Sequence, residues 1–302
     1  MNFARERVKF VAAIALCLAP AIVLTALNVL ESRAGIAAVR HQLAALPRIA
    51  PVLALIEPLS GHDVAGSLAR VHAVEDNGLA RDEAFGTGAQ AQALTAALRL
   101  AEPDQAASIA AARNLIERLG ETSGLEGDAD PALSAQIRVV TRHIPAAEAA
   151  TVPAVAALQE ARKSFPLKPD RRTVLRRELE RWTASRDQVL HALEGQKAAE
   201  TFRADESRAP ERVSEILAAA AVSADDLSRA LLLHRDYVVA LTRLSTTILN
   251  AVGSDLSQRI DDIERRSSLI LAGAIMSMGL GLALAAGLFF SAFREPQAKP
   301  VY

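Results

Sequence analysis

Six arginines crowd one short stretch of the chain: Arg171, Arg172, Arg176, Arg177, Arg181 and Arg186. A guanidinium presents a planar fork of N–H donors that grips a carboxylate through two hydrogen bonds, the contact a small organic acid would need. Glu178, Glu180 and Asp187 are interleaved with them. Acids three or four residues from basic groups pair along a helix surface, so most of this stretch reads as a solvated, ion-paired face.

Arg186 stands apart because of its register. Leu175, Leu179, Trp182, Arg186, Val189 and Leu193 follow one another at alternating spacings of four and three. Such a seam is the buried stripe of a long helix packed as in a coiled coil. A cation placed in it must find a partner, either an internal acid or the carboxylate of a ligand. A second seam holds Leu227, Leu231, His234, Val238, Leu241, Ser245, Ile248 and Val252. His234 and Ser245 are polar there, as satisfied core groups or as ligand contacts. Arg186, Trp182 and His234 are therefore the candidate ligand-binding residues.

Other chemistry finds little support. His41, His62, His72, His143, His191 and His234 show no i, i+4 pairing or other metal-ligand spacing. There is no glycine-rich phosphate loop, nucleophile elbow or zinc motif, and neither an enzyme, a metal site nor a cofactor is expected. A net charge of −1 argues against nucleic acid as a partner. The single cysteine, Cys17, excludes an internal disulfide framework, and Leu16 before it is wrong for lipoprotein processing.

The elements that would position these residues are helices. Alanine and leucine dominate, and strand-like alternation is scarce. Two apolar runs, Val8 to Leu30 and Leu269 to Phe290, lie at opposite ends. A bilayer core about 30 Å thick takes roughly 20 apolar residues in a helix, so both runs have spanning length. The basic residues Arg5, Arg7 and Lys9 could also open a signal peptide, but the apolar stretch exceeds the usual h-region of about 7–15 residues. The same residues place the N-terminal tail in the cytoplasm, and Arg294 and Lys299 place the other tail there too. Arg33, Arg40, Arg259, Arg265 and Arg266 weaken that bias from the opposing flanks. Gly273, Ser277, Gly281 and Ala285 put a small residue on one face of the second run at every fourth position, where a neighbouring backbone could pack. Pro20 should kink the first run without destroying it.

The expected organisation is residues 1–30 as tail and first span, 31–267 as a helical domain, 268–291 as second span and 292–302 as a short tail. The fold class is all-α: two transmembrane helices flanking a long antiparallel periplasmic helical bundle. Within it the first helix should continue to about Leu46, where Pro47, Pro51 and Pro58 disrupt it. Asp63 should cap a short helix carrying Val64, Leu68 and Val71 and ending at Asn77-Gly78. Thr87 opens a helix with Leu94 and Leu98 inward. Pro103 suits the first turn of the next, which buries Ile109, Leu115, Ile116 and Leu119. Gly120 to Asp130 is a loop, and Asp130-Pro131 starts a helix to about Ser164, kinked at Pro145 and Pro153. Asp170 should cap the arginine-rich helix. The last helix should start near Pro210 and run through Arg266 into the second span.

Three stretches carry a resemblance: Glu121 to Pro145 (ETSGLEGDADPALSAQIRVVTRHIP), Leu256 to Arg266 (LSQRIDDIERR) and Phe293 to Pro296 (FREP). They resemble, in order, the small-polar loop and Asp-Pro helix start, the juxtamembrane helix and the first residues of a HAMP linker. These belong to the extracytoplasmic sensory half of bacterial chemoreceptors, membrane histidine kinases and diguanylate cyclases. The resemblance implies a sensor-type homodimer in the bacterial inner membrane. It implies a ligand that is a small solute or a protein, and a signal carried by the final helix. About a dozen residues follow the second run, so the signal is expected to pass to a separate output protein. The alternatives are a non-sensing interaction scaffold derived from a receptor, or a receptor fragment lacking HAMP and output domains.

Overall fold

The computed structural model describes residues 2–60, 72, 78, 83–99, 104–196, 200, 202, 205–219 and 222–292. Among these the regular structure is entirely helical. The chain divides into two compact units, Met1–Arg40 with Ser257–Tyr302, and His41–Leu256.

The first unit contains the leading part of α1 (Asn2–Ser60) and the trailing part of the final helix, α8 (Ala224–Ala292). Its apolar side chains face outward: Leu24 is 67 % exposed, Leu30 63 %, Leu269 66 % and Met276 74 %. Only 6 % and 0 % of the most apolar windows of the two helices is buried. A core helix of a water-soluble domain would bury that face, so both helices are candidate membrane spans by length, composition and exposure. Within the apolar runs the Thr25 hydroxyl donates to the Ala21 carbonyl at 2.7 Å and that of Ser277 to the Gly273 carbonyl at 2.8 Å. Hydrocarbon demands that economy. The two helices approach each other where a Cβ on Gly35 would stand 3.6 Å from Ile263 Cδ1, and Arg40 pairs with Glu264 at 3.5 Å.

The second unit is a helical bundle. The trailing part of α1 enters it with Ala45, Ile49, Val52, Leu55 and Ile56 wholly buried. The expectation that Pro47, Pro51 and Pro58 end this helix near Leu46 is not met, because α1 continues to Ser60. Pro47 and Pro51 strip hydrogen bonds from the carbonyls of Leu43 and Pro47, which lie on the more exposed side of the helix, where water can replace them. Burial of the opposite face then decides the conformation. The helix expected to start at Asp63 lies outside the described residues, as does Pro103.

α2 (Gly88–Leu98) follows Thr87 and buries Leu94 and Leu98 as the pattern required. α3 (Gln105–Thr122) is capped by Asp104, whose carboxylate accepts from the Ala106 and Ala107 N–H groups. It buries Ile109, Leu115, Ile116 and Leu119. α4 (Pro131–Arg138) opens on Asp130, which accepts from Ala132 and Leu133. A π-helical turn, Val139–His143, joins it to α5 (Ile144–Lys163). That turn ends just before Pro145, whose ring and missing N–H forbid a regular α-helical bond to the turn below. The disruption expected at Pro145 takes this form, while Pro153 lies inside an unbroken α5.

α6 (Pro169–Ala192) carries the arginines. Its N-cap is Lys168, and Asp170 lies in the first turn without capping through its side chain. α6 packs along α5 and against α7 (Ala209–Ala218). The helix expected to begin near Pro210 is thus short. α8 starts separately, with Ser223 and Asp226 in a reciprocal capping box. The hydrogen bonds from the Ser223 backbone and hydroxyl hold the Asp226 carboxylate below its usual range. From there α8 is continuous through Arg266 to Ala292.

Candidate functional site

All six seam residues of α6 are buried, Arg186 at 8 % exposure and Trp182 at 0 %. On α8, Leu227, His234, Val238, Leu241, Ser245, Ile248 and Val252 are buried as well. Leu231 is only half-buried, and Ala230 takes its inward place.

The bundle brings Trp182, His234 and Arg186 into one neighbourhood. The Trp182 ring meets His234 edge to face at 5.7 Å and Tyr237 at 5.2 Å, and Phe202 extends the stack to Tyr237 at 6.1 Å. Such contacts add about 0.5–1.5 kcal/mol per pair beyond the area they bury. His234 Nε2 stands 2.9 Å from Thr151 Oγ1 on α5. The Thr151 hydroxyl donates its proton to the Glu148 carbonyl at 2.7 Å. The histidine must therefore be the donor in the first bond, which fixes the proton on Nε2.

Arg186 has its partners inside the chain. It donates to Asp187 Oδ1 from Nη2 at 2.7 Å and from Nε at 3.1 Å. It donates to the Ser207 carbonyl at 3.2 Å and to the Glu211 carboxylate on α7. Burial pulls the guanidinium pKa down, and the hydrogen bonds to Glu211 and Asp187 outweigh this and leave it raised. The side chains of Glu211 and Asp187 remain 41 % and 58 % exposed, so this is an ion pair at the edge of the core.

Two neighbouring groups escaped the sequence pattern. Glu148 is 1 % exposed and its Oε2 has no hydrogen-bond partner among the described residues. Burial, then the nearby Glu57, pushes its carboxyl well above the usual range. The Tyr237 hydroxyl is fully buried, and burial pushes its pKa up. The Trp182 indole N–H approaches that hydroxyl without reaching normal hydrogen-bond geometry. Glu148 carried one signal in the sequence, as the lone acid in an otherwise apolar stretch of α5.

Beside this cluster, α6 and α7 enclose a cleft of about 500 Å³. Leu179 and Leu217, both buried, line its apolar part. Arg172, Arg176, Glu180 and Asp187 supply its charge. The other arginines of α6 are used differently, Arg171 pairing with Glu160 and both Arg177 and Arg181 with Glu178.

A separate network secures the loop after α3. Glu126 accepts from Thr141 at 2.6 Å and from Arg142 at 2.6 Å, and Gln42 of α1 donates to Asp128 at 2.8 Å. The Glu126 hydrogen bond is the main reason the Arg142 guanidinium is pushed up. Burial, with Arg138 and Arg142 nearby, pulls His143 down. Among the described residues, no group of three His, Cys, Asp or Glu side chains could hold a metal ion.

In the first unit, Gly273 and Ala285 are half-buried while Ser277 and Gly281 are exposed. A Cβ on Gly273 or Gly281 would meet nothing within 4 Å. The described chain does not itself fill this stripe.

The chain matches no protein-family model, no curated protein and no solved structure.

Proposed function

We propose that the protein is a membrane-anchored, sensor-like module. Both termini lie in the cytoplasm of a bacterial inner-membrane protein, and residues 31–267 form a periplasmic antiparallel helical bundle. The bundle binds a small solute or a protein partner. The signal passes through the final helix to a separate output protein, and the module works as a homodimer in the bilayer. The reading draws on the resemblance of Glu121 to Pro145 and Leu256 to Arg266 to extracytoplasmic sensory segments.

One observation carries the proposal. α8 is a single helix that holds His234 and Tyr237 of the aromatic cluster and also the apolar run from Leu269. A shift of packing around Trp182 would be inherited along a continuous helix, because its backbone hydrogen bonds resist local bending. The rival reading is an interaction scaffold without a ligand. It is favoured by Arg186 having internal acids as partners.

Two experiments test this. A phosphatase that works only in the periplasm, fused after Tyr302, should be inactive, and activity there would reject the topology. A thermal-shift screen of the full chain in lipid nanodiscs should find a solute that raises the melting temperature. A screen in which no class of solute or protein fraction shifts it favours the scaffold.

A further inference from the structure

We propose that the cleft between α6 and α7 is a binding site for a small amphipathic monocarboxylate: an apolar body with one carboxylate head. This rests on the reading that the bundle binds a small solute, and it names the site and the ligand's chemistry.

Arg172 and Arg176 are one helical turn apart on the face that lines the cleft. Neither has an acid within ion-pair distance among the described residues, although Arg171, Arg177 and Arg181 beside them are all paired. Two guanidinium groups at i and i+4 can close on one carboxylate from both sides.

The rest of the lining fixes the ligand's other properties. Asp187 is held in an ion pair with Arg186, which it shares with Glu211. Glu180 is exposed on the same face and makes no ion pair among the described residues. Arg172 and Arg176 make one fork on this lining, which suits a single carboxylate head. Its floor is Leu179 and Leu217, which would cover an apolar body and gain about 25 cal/mol for each Å² removed from water. A cleft of about 500 Å³ is in the range that holds small organic ligands.

The site also has a route to the core. Its two walls are joined by the Arg186–Glu211 ion pair, and Leu179 and Trp182 are successive seam residues of α6. A ligand that draws α7 toward α6 would press on the ring cluster against α8.

The test uses the full chain in lipid nanodiscs and calorimetric titration with phenylacetate, benzoate and indole-3-acetate, each beside its neutral amide. At least one carboxylate should bind, with its amide at least tenfold weaker. Arg172→Gln with Arg176→Gln should weaken the carboxylate at least tenfold and leave the helical circular dichroism intact. Arg171→Gln, which removes a charge paired elsewhere, should leave the affinity within twofold. Equal binding of acid and amide would overturn the proposal. So would a double variant that binds normally, an Arg171→Gln variant that binds as poorly as the double variant, or no carboxylate binding at millimolar concentration. If the carboxylates fail while another solute class shifts the melting temperature, the sensor reading stands and this site assignment falls.

Discussion

His234 and Thr151 lie 83 positions apart in sequence and 2.9 Å apart in space, joined through Nε2 and Oγ1 in the buried centre of the bundle. The bond closes a short relay, from the imidazole N–H to the threonine hydroxyl and on to the Glu148 carbonyl. Thr151→Val keeps the shape of the side chain and deletes the acceptor, which leaves a buried N–H unmet. A buried donor without a partner costs about 1–3 kcal/mol. Thermal melts should place Thr151→Val lower by that order, while Thr151→Ser stays near the parent. Equal stability of all three would show that the relay contributes nothing.

Glu148 gives a pH signature. Its carboxyl is raised from a reference of 4.5, first by burial and then by Glu57, and Tyr237 also faces it from α8. A raised acid favours the protonated form in the fold. Its contribution to stability is therefore complete below the ordinary carboxylate value and is lost as pH rises through the folded value. The loss approaches about 1.4 kcal/mol per pH unit for one proton. Glu148→Gln cannot ionise, so its melting temperature should fall less steeply between pH 5 and 8. Parallel curves for the two proteins would place the Glu148 carboxyl in contact with water.

The seams were readable because burial of a helix face leaves a period. Leu175 to Leu193 all point inward, and on α8 only Leu231 fails, where Ala230 takes the inward place. Prolines misled in one direction, since Pro47, Pro51 and Pro58 read as breaks yet sit in an unbroken α1 held by its buried face. They informed in another, because Pro145 marks the π-helical turn. The break between α7 and α8 was written in Ser223 and Asp226, a capping box that a heptad count overlooks. The arginine fork at the cleft was not legible as such. Six arginines share one helix, and acids on α6 itself as well as on α5 and α7 decide which of them are paired.

Gly120 should resist a substitution that normally helps a helix. Alanine in place of glycine inside a helix is worth about 1 kcal/mol. Here the added Cβ would stand 2.9 Å from Thr141 Cγ2 and 2.9 Å from Glu126 Oε1. The carboxylate belongs to the Thr141–Glu126–Arg142 network and the methyl is on a stiff β-branched side chain, so neither yields freely. Gly120→Ala should therefore lower stability by about 1–3 kcal/mol, the usual cost of overpacking. Thr141→Ser removes the methyl, and the double variant should recover part of the loss. A stabilised Gly120→Ala would mean that the loop relaxes away.

Arg186 decides between the two partners a seam cation can have. Its acids are Glu211 and Asp187, both exposed enough to be rehydrated once the guanidinium is gone. The cost of Arg186→Ala should therefore fall below the roughly 3–5 kcal/mol of breaking a fully buried pair. The lost charged hydrogen bonds and the lost packing of the stem together suggest about 1.5–3 kcal/mol. Arg186→Met keeps much of that packing and should lose less. If a ligand carboxylate were instead the intended partner, Arg186→Met would stabilise the empty protein and abolish ligand-induced stabilisation. Melting both variants, with and without a bound solute, separates these outcomes. Melting temperatures equal to the parent in both would mean that the Arg186 side chain lies in solvent and that the α6–α7 clasp does not hold.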